Sequence, residues 1–323
     1  MDSCAAVVTG GAGFIGSHLA ERLLKEGFKV TILDNFSSGK MKNIQHLKDH
    51  PSLVVIKEDL KQPKQLSLVI EKCDLIFHLA ANPEVRIGET EPSVHFQENI
   101  LTTFNLLETM RQAKTQKTLI FTSTSTVYGE ASRIPTPENY APLLPISTYG
   151  ASKLACEALI IGYAHTFNHR ALILRLANII GQRSNHGVIA DFIKKIKANP
   201  KELEILGDGT QEKSYLHVKD CVDAAVHLTK VFLENSENVD IYNIGSLDKI
   251  TVKEIAIIVA EEMNQPKIKY RFARKAEGGR GWKGDIKFMQ LSIEKLVQTG
   301  WKPRHMSRQA VMLAAKELVK EHL

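Results

Sequence analysis

Ala5-Ala6-Val7-Val8-Thr9-Gly10-Gly11-Ala12-Gly13-Phe14-Ile15-Gly16 is the stretch that decides the fold. A short apolar run meets glycines spaced GxxGxxG, and a segment of helical pattern follows. Glycine is required where the backbone turns with positive φ and where a Cβ would strike a pyrophosphate. The helix that follows offers free N–H groups and the positive end of its dipole to that anion. The reading places a dinucleotide on Gly10, Gly13, Phe14, Ile15 and Gly16. About twenty residues on, Asp34 closes the run Lys29–Leu33. A carboxylate there accepts from both ribose hydroxyls and repels a 2′-phosphate, which predicts NAD rather than NADP.

Outward from this turn the first half alternates apolar runs with helical segments. The expected strands are Ala5–Thr9, Lys29–Leu33, Leu53–Lys57, Leu75–Leu79, Thr118–Thr122 and Ala171–Leu176. Periodic segments Ser17–Lys25, Leu101–Lys114 and Ser152–Phe167 lie between them. Strands separated by helices of this length build βαβ units, hence an α/β fold with a doubly wound parallel sheet. The runs are continuously apolar, as expected where helices cover both sheet faces. After Asn178 the pieces shorten and Gly-containing loops multiply. We expect residues 1–177 to form the NAD-binding domain and 178–323 a smaller α/β substrate domain. The chain is expected to cross back to the large sheet near 239–244.

The whole chain has 323 residues, 43% of them hydrophobic and 24% charged, which suits a packed globular protein and excludes disorder as the main state. No window approaches about 18 uninterrupted apolar residues, so no membrane span is expected. The stretch MDSCAAVVTGG lacks the basic start and long apolar core of a signal peptide, which points to the cytoplasm. The net charge of +6 is spread along the chain. It predicts a phosphorylated small molecule rather than nucleic acid. Cys4, Cys73, Cys156 and Cys221 stand far apart with no CxxC pair, so neither a metal site nor a disulfide framework is expected.

With the opening TGGAGFIGSHL and its GxxGxxG spacing, the sequence resembles the extended short-chain dehydrogenase/reductase family over nearly its whole length. The resemblance implies a Rossmann-type nucleotide domain. Asp34-Asn35-Phe36-Ser37-Ser38-Gly39 looks like that family's adenosine-ribose loop. Asp59-Leu60 sits where the family contacts adenine, and His78-Leu79-Ala80-Ala81-Asn82 resembles its strand beside the cofactor. Asn99 falls where a structural Asn lies. Thr122 and Ala177 complete the cofactor-contacting residues that the resemblance implies.

Tyr149-Gly150-Ala151-Ser152-Lys153 matches the family's YxxxK. The i,i+4 spacing puts phenol and ammonium on one helix face. A tyrosine titrates near 10, and a neighbouring ammonium lowers that value by about 1–3 units. Tyr149 then takes a hydroxyl proton during hydride transfer, and Lys153 also holds the nicotinamide ribose. Thr124, at the end of the run from Thr118, is expected to bridge the reacting oxygen and Tyr149. In the family's dehydratases an Asp-Glu pair follows this Thr, and in its decarboxylases a Glu stands two positions after it. Here these positions hold Ser125 and Thr126, neither of which is a carboxylate. The pattern resembles the UDP-glucose 4-epimerases, where only hydride and hydroxyl-proton transfer are required.

The second half is expected to bind the nucleotide sugar. By the same resemblance Asn178 contacts the diphosphate, and Leu206 with the loop through Lys213 and Tyr215 receives uridine. A helix beginning at Gly187-Val188 offers its N-terminus to a phosphate. Lys213 stands where many relatives have Arg, and Lys lacks the planar fork. The usual Arg-x-Gly-Asp reads Trp282-Lys283-Gly284-Asp285, so Arg280 is expected to replace the missing arginine beside Asp285. Arg86 is a further candidate anion contact. The resulting expectation is an NAD-dependent isomerase that interconverts UDP-glucose and UDP-galactose. The alternatives are another UDP-sugar (N-acetylhexosamine or uronic acid) or a non-catalytic NAD-binding relative. A homodimer through Leu101–Lys114 and Ser152–Phe167 is implied by the resemblance.

Overall fold

The computed structural model describes residues 4–273 and 277–322. The strands are β1 (Ala5–Thr9), β2 (Lys29–Asp34), β3 (Leu53–Lys57), β4 (Leu75–His78), β5 (Thr118–Thr124), β6 (Arg170–Leu176), β7 (Asn178–Ile180), β8 (Glu202–Leu206), β9 (Glu212–Lys213), β10 (Tyr215–His217), β11 (Val239–Ile244), β12 (Ile250–Thr251), β13 (Lys269–Ala273) and β14 (Phe288–Met289). The helices are α1 (Phe14–Lys25), α2 (Leu66–Glu71), α3 (Ser93–His95), α4 (Thr102–Gln112), α5 (Thr148–Phe167), α6 (Val188–Ala198), α7 (Val218–Glu234), α8 (Val252–Glu262), α9 (Glu294–Gln298) and α10 (Ser307–His322).

Seven strands form one sheet in the order β11-β6-β5-β4-β1-β2-β3. β1 pairs in parallel with β2 and β4, β2 with β3, and β4 with β5. The order reverses beside β1, so the carboxyl ends of β1 and β4 flank the point where ligands bind in doubly wound sheets. Val7, Ile76, Leu119, Phe121 and Ile173 from the strands pack with Leu106, Leu107, Cys156 and Ile160 from α4 and α5. β3 departs from the expectation of two covered faces. It is the edge strand, and Val54 and Val55 are exposed.

The chain divides into two compact units, and neither is contiguous. Unit 1 holds residues 1–127, 148–175 and 222–242; unit 2 holds 128–147, 176–221 and 243–323. These units differ from the expected boundary after residue 177 in placing residues 128–147 in unit 2, and the strand expected to cross back near 239–244 is β11. β11 supplies the last strand of the large sheet, so the preceding helix must return with it, and the segment before α5 packs elsewhere. In unit 2, Phe192, Ile193 and Ile196 of α6 pack with Leu203 and Ile205 of β8, Ile255 and Val259 of α8, and Val311 and Leu318 of α10. A reciprocal capping box between Thr251 and Glu254 starts α8. Among the described residues no helix is long and apolar enough to cross a membrane.

Three element boundaries bear on the site. α1 begins at Phe14, not Ser17, so its first turn directly follows the glycine turn. β5 continues to Thr124, two residues beyond the expected end. α4 is shorter than expected and follows a wide π-type turn at Phe96–Leu101, which brings Asn99 inside.

Candidate active site

Unit 1 carries a cradle shaped for a dinucleotide. Gly10 has φ +68, and a Cβ there would lie 2.8 Å from the Ala80 backbone nitrogen. At Gly16 a Cβ would overlap the Gly10 carbonyl. The two glycines let the turn, α1 and the Leu79–Ala80 segment close together. Gly13 is the N-cap of α1 and provides no side-chain cap, which leaves the first-turn N–H groups of Phe14 and Ile15 facing outward from the helix end. The Thr9 hydroxyl accepts from the backbone nitrogens of Leu79 and Ala80 at 3.2 Å each, locking Ala81 and its neighbours beside β1.

Asp34 is buried, and each of its oxygens accepts one backbone N–H: Oδ2 from Ala12 at 2.9 Å and Oδ1 from Phe36 at 2.8 Å. Burial pushes its carboxyl above the usual range, against those two hydrogen bonds. Each oxygen keeps a lone pair for a ribose hydroxyl. Gly39 lies beside this carboxylate, and Asn35 holds the loop by accepting from Ser37 N, with Ser38 next in line. An open cavity of about 1060 Å³ adjoins it, lined in part by Asn35, Ser37, Asp59, Phe96 and Gln97. Leu60 is buried, and its carbonyl accepts from Asn105 at 2.8 Å. These observations fit an adenosine diphosphate: a phosphate turn that a Cβ would fill, a buried acceptor for ribose, and an open space beyond it with ample room for a base.

Tyr149 and Lys153 lie one turn apart on α5. Thr124, at the end of β5, is hydrogen-bonded to the Tyr149 phenol and also accepts from Thr126 N at 3.2 Å. Lys153 is buried, with Nζ 4.1 Å from the centre of the Phe121 ring. Burial pushes its ammonium down to about 8. It also pushes the Tyr149 phenol up to about 12, against the Thr124 bond. This corrects the expected direct depression of Tyr149 by Lys153, because the cost of burying a phenolate dominates. Thr122 Oγ1 donates to the His78 carbonyl at 3.2 Å. Asn99 Nδ2 donates to Ser152 Oγ at 2.8 Å, and its Oδ1 accepts from Asn82 N at 2.8 Å, tying the cofactor strand to α5.

The expected substrate residues of unit 2 gather in two groups. Leu206, Lys213, Arg280 and Asp285 belong to one loop cluster, where Lys213 Nζ meets Asp285 at 2.6 Å and Arg280 meets Glu130 at 2.5 Å. Both cations therefore have carboxylate partners, which residue types alone did not reveal. Asn178 pairs with Tyr215 across β7 and β10 and donates to Ser214 O at 3.1 Å. Ala177 N donates to Ile244 O at 2.8 Å. Gly187, with φ +89, caps α6 ahead of Val188 without a side-chain bond. Arg86, in unit 1, is half-exposed and pairs with Glu84 at 3.1 Å.

The family profile of NAD dependent epimerases and dehydratases aligns with residues 6–245. The chain belongs to the NAD dependent epimerase/dehydratase family. It is 30% identical over 316 residues to the UDP-glucose 4-epimerase of Corynebacterium glutamicum, covering 93% of this chain and 91% of that one. It is likewise 30% identical over 320 residues to UDP-glucuronic acid decarboxylase 4 of Arabidopsis thaliana, covering 96% and 68%. The crystal structure of a UDP-galactose 4-epimerase superposes with a TM-score of 0.87 at 43% identity, covering 99% of this chain and 100% of that one. As a member of this epimerase family the protein is an enzyme of isomerase type, and its cofactor is NAD.

Residue patterning missed three side chains that pack against these groups. His95 bonds Thr148 Oγ1 at 2.9 Å and packs its ring edge-on against Tyr149, 5.7 Å between centroids. Gln211 is buried in the Leu206 cluster. It donates to the Leu206 carbonyl at 2.8 Å, while its Oε1 has no hydrogen-bond partner among the described residues. Glu157 is buried one turn beyond Lys153. Only Glu157 had a signal in the sequence, as the charge continuing the Tyr149, Lys153 stripe at i+4.

Proposed function

We propose that the protein is a UDP-sugar 4-epimerase that interconverts UDP-glucose and UDP-galactose through a transient 4-keto sugar. The observation that carries this reading is the end of β5. Thr124 is bonded to Tyr149, and the next two residues are Ser125 and Thr126 rather than carboxylates. The two positions after Thr124 supply hydroxyls rather than a carboxylate base, which suits oxidation at a hydroxyl-bearing carbon.

In this reading Tyr149 takes the proton of the C4 hydroxyl and later returns it. Thr124 orients both oxygens through its hydroxyl. Lys153 holds the nicotinamide ribose. NAD, when bound, supplies the hydride acceptor and donor, and its positive charge favours the phenolate against the burial that raises Tyr149. Gly10, Gly13, Phe14, Ile15 and Gly16 hold its phosphates, Asp34 its adenosine ribose, and Asn35 through Gly39 with Asp59 and Leu60 its adenosine end. We assign NAD binding to unit 1 and nucleotide-sugar binding to unit 2, with Lys213 and Arg280 as the diphosphate cations.

The test is turnover in D₂O with a panel of UDP-sugars. The expected product is an epimer with no deuterium on carbon, no free NADH and no 4-keto-6-deoxy sugar. Deuterium at C5, or carbon dioxide from UDP-glucuronic acid, would overturn the assignment. The second reading, a uronic sugar as substrate, is favoured by the likeness to the UDP-glucuronic acid decarboxylase; there, epimerisation of UDP-glucuronic acid without loss of carbon dioxide is the expected signature.

We also propose a cytoplasmic homodimer. Phe104 on α4 and Phe167 on α5 stay exposed while stacking on Tyr163 at 6.4 and 5.1 Å. Aromatic surface of this kind is enriched at interfaces. The four cysteines are all free, which suits a reducing compartment.

A further inference from the structure

A buried charged pair adjoins the Tyr149–Lys153 face of α5. Glu157 follows Lys153 by four residues and Tyr149 by eight, so the three share one stripe of the helix. Its carboxylate receives Arg175 Nη2 at 2.7 Å and Nε at 3.1 Å from β6. Both side chains are buried. The Ser123 hydroxyl donates to the same carboxylate, and Ser123 immediately precedes Thr124 at the end of β5. One carboxylate thus ties α5 to two strands, one of which carries the hydroxyl bonded to Tyr149. Stability alone accounts poorly for this arrangement, since a desolvated ion pair roughly breaks even against well-packed apolar side chains.

The surroundings of Lys153 sharpen the point. His78 on β4 is held neutral, pushed down to about 3 by complete burial. Cys156 on α5 is a thiol pushed up by burial, Tyr149 is a phenol, and β5 presents the Phe121 ring. Among these groups Glu157 is the carboxylate, paired with the Arg175 guanidinium at 2.7 Å.

We propose that Glu157 is a positioning residue: clamped by Arg175 and Ser123, it fixes the Tyr149–Lys153 stripe against Thr124 and keeps Lys153 in its ammonium form. The proposal rests on the reading of Thr124, Tyr149 and Lys153 as the catalytic set. Burial drives Lys153 toward loss of its proton, and the Glu157 charge acts against that loss.

The test compares Glu157→Gln, Glu157→Gln/Arg175→Gln and Ser123→Ala with wild type and Tyr149→Phe. Lys153 is titrated by NMR of its ¹⁵N-labelled ammonium, assigned by Lys153→Arg, alongside kcat and KM across pH. With Gln at 157 the Lys153 midpoint should fall by about one pH unit, and the alkaline limb of kcat should move with it. Turnover should drop at least about tenfold from lost alignment, with little change in KM. Ser123→Ala should lower kcat without moving the Lys153 midpoint. The double variant removes both charges of the pair, so its Lys153 midpoint should move less than in Glu157→Gln while kcat still falls; it answers the alignment half of the question if Glu157→Gln alone does not fold. An unmoved Lys153 midpoint and unchanged kcat in the folded variants overturn the proposal. Near-normal turnover of Tyr149→Phe overturns instead the catalytic reading beneath it, and the NMR midpoint still judges Glu157 separately.

Discussion

Lys213 Nζ lies 2.6 Å from Asp285 Oδ1, while Oδ2 of the same buried carboxylate accepts from Gly281 N at 3.1 Å. The backbone bond holds Asp285 in place, and Asp285 in turn holds Lys213. The lysine is thus a preset cation with a fixed position, also 5.5 Å from the centre of the Trp282 ring. An incoming phosphate has to share it with the carboxylate.

Lys213→Ala and Arg280→Ala should each weaken UDP binding by roughly 1.5–3 kcal/mol, the scale of a hydrogen bond to a charged group. Calorimetric titration with UDP measures it. Unchanged affinity in Arg280→Ala would reduce that arginine to the surface partner of Glu130.

The proposed role of Asp34 in the choice of cofactor has a direct test. Asp34→Ala should weaken NAD binding, and wild type should bind NADP poorly because a 2′-phosphate would meet the carboxylate. Fluorescence titration with both dinucleotides decides it, and equal wild-type affinities would defeat the assignment.

Tyr149→Phe keeps the ring and deletes the proposed proton carrier. Turnover should fall by at least about 10²–10⁴-fold, the range of general acid–base catalysis, with bound NAD retained. Steady-state assay and cofactor content after purification provide the two readings.

Lys153 and Tyr149 give opposite pH signatures. Folded Lys153 loses its proton near about 8, whereas the unfolded side chain does so near about 10.4. Between those values the unfolded chain holds more protons, so stability rises with pH across that window. Activity that needs the ammonium falls as pH rises through the lower of the two values. Tyr149, raised to about 12 from about 10, contributes stability that is present below the lower value and lost as pH rises through the higher one. Urea unfolding of wild type and Lys153→Met across the alkaline range should show the rising contribution only in wild type.

Local chemistry made much of this protein readable. Gly10 and Gly16 are demanded by backbone closeness, and Asp34 by its place at the end of an apolar run, so their residue types announce their surroundings. The Thr118 run led to Thr124 because its apolar centre, Leu119 to Phe121, gives way to hydroxyl residues at the strand end. Partners far along the chain were not readable in this way. Nothing near Arg280 announces Glu130, 150 positions earlier. The burial that lifts Tyr149 depends on the packing of α5, not on the four-residue spacing that located it. The wide turn at Phe96–Leu101 has no period of its own, and the expected helix began only at its last residue, Leu101.

The threading of the chain through two units bears on how such a protein diversifies. No single junction separates a complete cofactor unit from a complete second unit, because residues 128–147 and 222–242 each belong to the unit opposite their immediate predecessors. Gene fusion or recombination at one breakpoint would leave both cores missing strands or helices. New substrate preferences in this architecture must therefore arise by point replacement and loop change within an intact chain, not by the exchange of modules.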